Sequence, residues 1–295
     1  MKKIDILTME QFSTDEIMGI LNDAFLFKTK FKDWQFSKTR LIANLFFEPS
    51  TRTHYSFSSA QMQLGMKIID FAPESSSVKK GETFHDTCRL FQEIGMDALV
   101  IRDIKDKYYD DLKDLNIPII NGGDGKGNHP TQSLLDLMTI YEEFERFEGL
   151  NMLVVGDIKH SRVAHSNIGV FERLGGNCKV SGPREWMDSE YNYIDLDEGL
   201  KWADIAMFLR IQRERHDDLI DLEGKSYLEC YGLTKDRLNT MKDSAIILHP
   251  APFNRGVELD DSIPECDKSR IWKQMENGVY VRKAVIKKVI GESFE

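Results

Sequence analysis

Cysteine is scarce in this chain: Cys88, Cys178, Cys230 and Cys266 are the only four in 295 residues, and no two stand at Cys-x-x-Cys spacing. That excludes a disulfide-stapled scaffold and a thiolate zinc site. Together with the absence of any Asn-x-Ser/Thr sequon, it points to a reducing cytoplasm. Long apolar runs are missing too. Nothing approaches the roughly 18 consecutive residues that cross a bilayer. The opening Met1-Lys2-Lys3-Ile4-Asp5 turns acidic without the apolar core of an export signal, so neither a membrane role nor secretion is expected. Positive charge is in deficit, with 39 Lys and Arg against 49 Asp and Glu and a formal net charge of −10. A general nucleic-acid binder needs a basic face, and this balance argues against one. An anionic ligand must then be held by basic residues gathered locally from distant segments.

The common cofactor signatures are absent as well. Gly156 stands alone after an apolar run, without the G-x-G-x-x-G turn of a dinucleotide site, and Lys126 is followed by Gly127 where a P-loop has Ser or Thr. His160 and His165 are wrongly spaced to share a metal on one helix face, and Asp195-x-Asp197 lacks the EF-hand glycine. No metal and no organic cofactor is expected.

What is present is an alternation of strand-like and helix-like segments. Apolar runs at Ile42–Phe47, Lys67–Phe71, Ala98–Ile101 and Ile117–Ile120 are each separated by enough chain for a helix. A second series of the same style follows at Asn151–Gly156, Lys179–Ser181, Ile205–Leu209 and Ala245–Leu248. The pattern predicts an α/β protein of two domains, each a parallel sheet flanked by helices, with the active site in the interdomain cleft. The expected boundaries are 1–132 for the first domain and 150–269 for the second, with a linking helix over 133–149. A C-terminal helix over 270–295 is expected to return to the first domain and to be interrupted near Gly278. Its basic residues Arg282, Lys283, Lys287 and Lys288 suit a helix C-terminus. The segment Lys28–Lys38, with Phe31, Trp34 and Phe36, reads as ordinary surface leading into the first strand.

Ser50-Thr51-Arg52-Thr53 puts three hydroxyls and a guanidinium where a strand hands over to a helix running from Thr51 towards Gly65. Unpaired N–H groups and the positive end of the helix dipole favour an anion there, and Arg52 adds a charge-assisted fork. The alternative is a plain helix N-cap, for which one hydroxyl suffices. Further on, Asn121-Gly122-Gly123-Asp124-Gly125-Lys126-Gly127-Asn128 reads as a glycine-rich loop that brings backbone close to a ligand. His129 and Gln132 then project from a new helix start.

With Ser-Thr-Arg-Thr at 50–53 and His129-Pro130-Thr131-Gln132 in the same order and on the same kinds of element, the chain resembles the aspartate/ornithine carbamoyltransferase family from roughly Phe46 to Arg282. The resemblance implies that Ser50, Thr51, Arg52 and Thr53 bind the phosphate of carbamoyl phosphate and that Thr53, Arg102, His129 and Gln132 address its carbamoyl end. Pro250 and Ala251 would contribute backbone groups. Ser76 and Lys80 would reach the active site of a neighbouring subunit, which implies a homotrimer with shared sites. By the same resemblance Arg162, Arg210 and Gln212, with Lys80, bind a dicarboxylate, and the catalytic set is Arg52, Thr53, Lys80, Arg102 and His129.

Within the family the aspartate branch is closer. The ornithine branch lacks the lysine at 80 and carries a Cys-Leu-Pro element after a histidine, where this chain has His249-Pro250-Ala251-Pro252. The implied reaction carries the carbamoyl group to L-aspartate, giving N-carbamoyl-L-aspartate and phosphate in de novo pyrimidine biosynthesis. Val163, Ala251 and Arg255 depart from the family pattern, and Tyr280-Val281-Arg282 resembles a terminal-helix site whose arginine lines the phosphate region, with a helix-end cation as the alternative. Two other functions stay open: carbamoyl transfer to ornithine or an N-acylated ornithine, and a non-catalytic anion-binding domain of the same fold. A regulatory chain or a pathway enzyme as a further partner is also open.

Overall fold

Short apolar runs separated by amphipathic segments pair in parallel, because each crossover has length enough for a helix. In the computed structural model, which describes residues 3–211 and 226–294, this happens twice. The chain divides into two units, Met1–Met138 with Met275–Glu295, and Thr139–Gln274. Among the described residues no helix is long and apolar enough to cross a membrane.

The first unit opens with α1 (Thr14–Thr29) and builds a sheet from β1 (Leu41–Phe46), β2 (Lys67–Phe71), β3 (Ala98–Asp103) and β4 (Ile119–Asp124), with α2 (Thr51–Gln63) and α3 (Phe84–Glu93) as crossovers. The strand order is β2-β1-β3-β4, and every neighbouring pair is parallel. The chain leaves β1 to one side and returns on the other. The carboxyl ends of β1 and β3 therefore flank a topological switch point, where loops diverge and a ligand can enter. The register sets Phe46 opposite Arg102 and Leu45 opposite Ile101. Side chains of Ala43, Leu45, Leu99, Ile101, Phe91 and Tyr108 share one apolar core.

The second unit repeats the plan. α4 (Pro130–Phe144) leads to β5 (Asn151–Val155), α5 (Arg162–Arg173), β6 (Asn177–Ser181), α6 (Leu196–Trp202), β7 (Ile205–Phe208), α7 (Tyr227–Tyr231), α8 (Lys235–Leu238), β8 (Ile246–Leu248) and α9 (Ile271–Ile290). Its strand order is β6-β5-β7-β8, again parallel throughout, so β5 and β7 flank the second switch point. The division between the units falls inside α4 and inside α9.

Three sequence expectations are corrected. The glycine-rich stretch after Ile120 is not all loop, because β4 continues to Asp124. Asn121 donates its backbone N–H to Ile6 and its side chain accepts from the Gly123 N–H, and a Cβ at Gly122 would stand 3.2 Å from the Ile101 carbonyl. Those glycines serve close strand packing. Nor is α9 interrupted at Gly278: the helix runs through it, and a Cβ there would meet Arg282 Nη1 at 2.6 Å. Glycine at 278 makes room for a guanidinium turned inward, so Arg282 and Lys283 are buried mid-helix while Lys287 and Lys288 take the last turn. Finally, Phe31, Trp34 and Phe36 are not plain surface. Phe31 stacks on Phe294 with ring centroids 4.5 Å apart, and Phe294 also meets Phe27 at 4.9 Å and Trp34 at 5.6 Å.

Candidate active site

Ser50 is the N-cap of α2, yet its side chain makes no capping hydrogen bond and the first turn holds no acidic residue. The plain N-cap reading therefore fails: the hydroxyl is not spent on its own helix, and the dipole there is not offset by a carboxylate. Thr51 and Arg52 are exposed, while Thr53, one step on, is buried. What fixes this turn lies beneath it. Asn44 on β1 and Gln61 on α2 form a reciprocal pair of amide hydrogen bonds at 2.9 and 2.7 Å, and Asn44 also donates to Asp70 on β2, which His54 joins at 3.0 Å. Buried amides paired on both sides hold α2 in one register against the strands.

Arg102 ends its strand beside this turn and is only 8% exposed. Its Nη2 lies 2.8 Å from Glu48 and its Nη1 donates to the Gly122 carbonyl at 3.2 Å, while its own carbonyl accepts from Phe47 N–H. An incoming oxyanion must compete with Glu48 for the same fork. From the far side, His129 caps α4: its carbonyl accepts from Ser133 N–H, and Pro130 takes the first helical position, where no N–H is needed. His129 Nε2 stands 3.4 Å from Thr53 Oγ1, so α2 and α4 bring a hydroxyl and an imidazole together, both nearly buried. Gln132 follows on the first turn of α4 and donates to Asp136 at 2.9 Å, which fixes its amide.

Arg282 packs against α2. Its guanidinium donates to Ser56 Oγ and to the Gly278 carbonyl, both at 3.0 Å, and lies 4.9 Å over the Phe57 ring. Burial lowers its pKa to about 9, against the opposing pull of Asp136. The helix-end alternative for Arg282 is thereby corrected, since it packs under α2. Ser76 and Lys80 lie in the loop after β2. Ser76 Oγ donates to the Pro73 carbonyl and accepts from Val78 N–H, and Lys80 is exposed, with no ion pair among the described residues.

In the second unit the expected residues again sit at carboxyl ends. Gly156 ends β5 with φ +133°, and a Cβ there would be 2.9 Å from Leu209 Cβ, so only glycine allows β5 and the end of β7 this close. Leu209 N–H donates to Val155, which puts Arg210 beside the Asp157–Arg162 segment. Asp157 receives His160 Nδ1 at 3.0 Å, Ser161 caps α5 by accepting from Ala164 N–H, and Arg162 is its first helical residue. Pro250 and Ala251 follow β8, and Ala251 takes φ +52° with its N–H donated to His249 Nδ1. Arg255 makes a two-pronged pair with Glu265 at 2.6 and 3.0 Å. Gln212 lies outside the described residues.

Sequence reasoning missed Glu48, Asp136 and Glu258, whose carboxylates hold Arg102, Gln132 and the 249–254 turn. Asp136 was within reach, since it stands four residues after Gln132 on a helix.

Two family models cover almost the whole chain: the aspartate/ornithine carbamoyltransferase carbamoyl-P binding domain over residues 4–142 and the Asp/Orn binding domain over 148–289. The chain belongs to the aspartate/ornithine carbamoyltransferase family. A relative named aspartate carbamoyltransferase catalytic subunit, from Staphylococcus saprophyticus, is 51% identical over 290 residues, 97% of each chain. Among solved structures, aspartate transcarbamoylase from Trypanosoma cruzi in complex with carbamoyl aspartate and phosphate matches with a TM-score of 0.86 at 28% identity, over 97% of this chain and 95% of that one. Ornithine carbamoyltransferase from Pyrococcus furiosus matches with a TM-score of 0.85 at 27% identity, over 98% of each. Both branches of the carbamoyltransferase family thus share this fold.

Proposed function

We propose that the chain is the catalytic subunit of an aspartate carbamoyltransferase, moving the carbamoyl group of carbamoyl phosphate to the amino group of L-aspartate. The observation that carries the chemistry is the buried Thr53–His129 pair at the start of α2, whose hydroxyls and N–H groups suit phosphate, with Arg102 buried near the end of β3 in the same unit. The amine nitrogen attacks the carbamoyl carbon, the carbonyl oxygen becomes negative, and the C–O bond to phosphate then breaks with its electron pair leaving on phosphate. The attacking nitrogen loses a proton. Arg102, Thr53 and His129 donate to the developing oxyanion, an effect worth about 10²–10³-fold for a single donor. Ser50, Thr51 and Arg52 hold the phosphate, with Gln132 at the carbamoyl end and Pro250 and Ala251 contributing backbone groups. Holding both reactants in attacking geometry supplies most of the remainder.

Arg162, the first residue of α5, and Arg210, two residues after β7, favour the dicarboxylate over a cationic amine. Planar guanidinium forks grip carboxylates two-pronged, which a lysine does not. Gln212 belongs to the same proposed set. The proposed setting is the cytoplasm and de novo pyrimidine synthesis.

The reading extends to a homotrimer in which Ser76 and Lys80 complete a neighbour's site. In support, exposed large apolar side chains of the first unit include Tyr55, Met62, Ile69, Leu90, Ile94 and Ile104. β2 is an edge strand of its sheet, with the burial of Lys67–Phe71 low throughout. An open edge beside apolar side chains is a surface that proteins ordinarily cover.

Incubating the purified chain with carbamoyl phosphate and a panel of amines, and measuring ureido product and released phosphate, tests the assignment. Turnover with aspartate is expected. Product with ornithine and not aspartate overturns the amine choice, and the absence of product with every amine favours a binding domain.

A further inference from the structure

Glu258, in the second unit, is 1% exposed and has no part in the chemistry above. Its Oε1 accepts the Asn254 backbone N–H at 2.5 Å and lies 3.4 Å from His249 Nε2, and its Oε2 receives the Asn254 side-chain amide at 3.3 Å. From this carboxylate two connections run outward. Through His249, whose Nδ1 accepts the Ala251 N–H at 2.9 Å, it reaches the turn after β8. Through the Asn254 amide, which also donates to the Ile211 carbonyl at 3.1 Å, it reaches the residue next to Arg210.

The chemistry of each partner fixes its orientation. His249 accepts on Nδ1, so its ring proton sits on Nε2, 3.4 Å from the carboxylate oxygen, which makes it a neutral imidazole of one defined tautomer. Ala251 has a left-handed φ of +52°, a conformation that a residue with a side chain keeps only when its surroundings hold it there. A buried carboxylate is a costly way to stabilise a fold, since apolar packing would serve as well. It is a good way to hold two loops in one arrangement, because a carboxylate shared by several donors tolerates little displacement.

We propose that Glu258 is a positioning residue: through His249 and Asn254 it locks the Pro250–Ala251 turn and the Arg210 strand end into one frame, so that the groups meeting the carbamoyl donor and the dicarboxylate keep a fixed separation. The inference rests on the roles proposed above for Ala251 and Arg210. Glu258→Gln keeps the shape but sets an NH2 against one of the donors. Asn254→Ala leaves the carboxylate its backbone donor and removes the side-chain amide that joins Glu258 Oε2 to the Ile211 carbonyl, and it serves should the first variant fail to fold.

Calorimetry with carbamoyl phosphate alone and with N-(phosphonacetyl)-L-aspartate, alongside steady-state kinetics, reads the effect. In each folded variant the affinity for carbamoyl phosphate is expected to stay within about threefold, while affinity for the bisubstrate analogue falls at least about tenfold and KM for aspartate rises, since loosening a supporting contact misplaces the binding groups. A purely structural role would lower the unfolding temperature and weaken both ligands alike, which overturns the proposal. So does an unchanged analogue affinity in both variants. A folded wild-type chain that binds neither ligand instead overturns the activity reading on which the inference stands.

Discussion

Arg102 is held by Glu48 on one side and by the Gly122 carbonyl on the other, at 2.8 and 3.2 Å. A lysine at this position keeps the charge but offers a single point donor, which cannot serve a carboxylate, a carbonyl and a developing oxyanion together. Arg102→Lys is therefore expected to lower kcat about 10²–10³-fold while the aspartate KM moves far less, because the lost contact belongs to the transition state. Steady-state kinetics checks it, and a kcat within tenfold of wild type would remove Arg102 from the role. Glu48 was not legible in the sequence for a physical reason. Its importance comes from the register that sets Phe46 opposite Arg102, and register depends on which strands pair.

At the scale of elements, the start of α2 is placed by what lies under it. The Asn44–Gln61 pair is fully buried and joins the helix to β1, and Asp70 extends the network to β2. Asn44→Ala leaves the Gln61 amide buried without its partner, which costs about 1–3 kcal/mol. Urea unfolding should show that loss, and carbamoyl phosphate should bind more weakly because the hydroxyl turn sits on the same helix. A variant with reduced stability but unaltered binding would separate the network from the site. The strands of both sheets were legible because apolar runs of strand length recur at a fixed spacing, and Ser50–Thr53 was legible because hydroxyls and an arginine abut a helix start. The extension of β4 through Gly122 and Gly123 was hidden, since glycine reads as loop until a neighbouring strand is known to need the space. Arg282 was hidden likewise: a cation near a chain end reads as surface, and only Gly278 one turn earlier leaves room for it to turn inward.

At the scale of the whole molecule, Ser76 and Lys80 are the residues proposed to serve a neighbouring chain. Lys80 is exposed on a short helical turn, and Ser76 bonds to Pro73 and Val78 of its own loop, while the candidate residues Thr53, Arg102 and His129 lie buried elsewhere in the same unit. If each site takes Arg52 from one chain and Lys80 from its neighbour in a closed ring of three, then Lys80→Ala and Arg52→Ala chains are each inactive, yet a mixed trimer contains one interface bearing both native residues. Unfolding an equal mixture and reassembling it should restore activity to about a quarter of the wild-type level, since a random neighbour pair has the required order in one case of four. Each variant reassembled alone should stay inactive. The mixed species are confirmed by tagging one variant and separating trimers by charge. Mixed trimers without activity would place the whole site in a single chain and leave the apolar surface around Tyr55, Met62 and Ile69 as a packing face only.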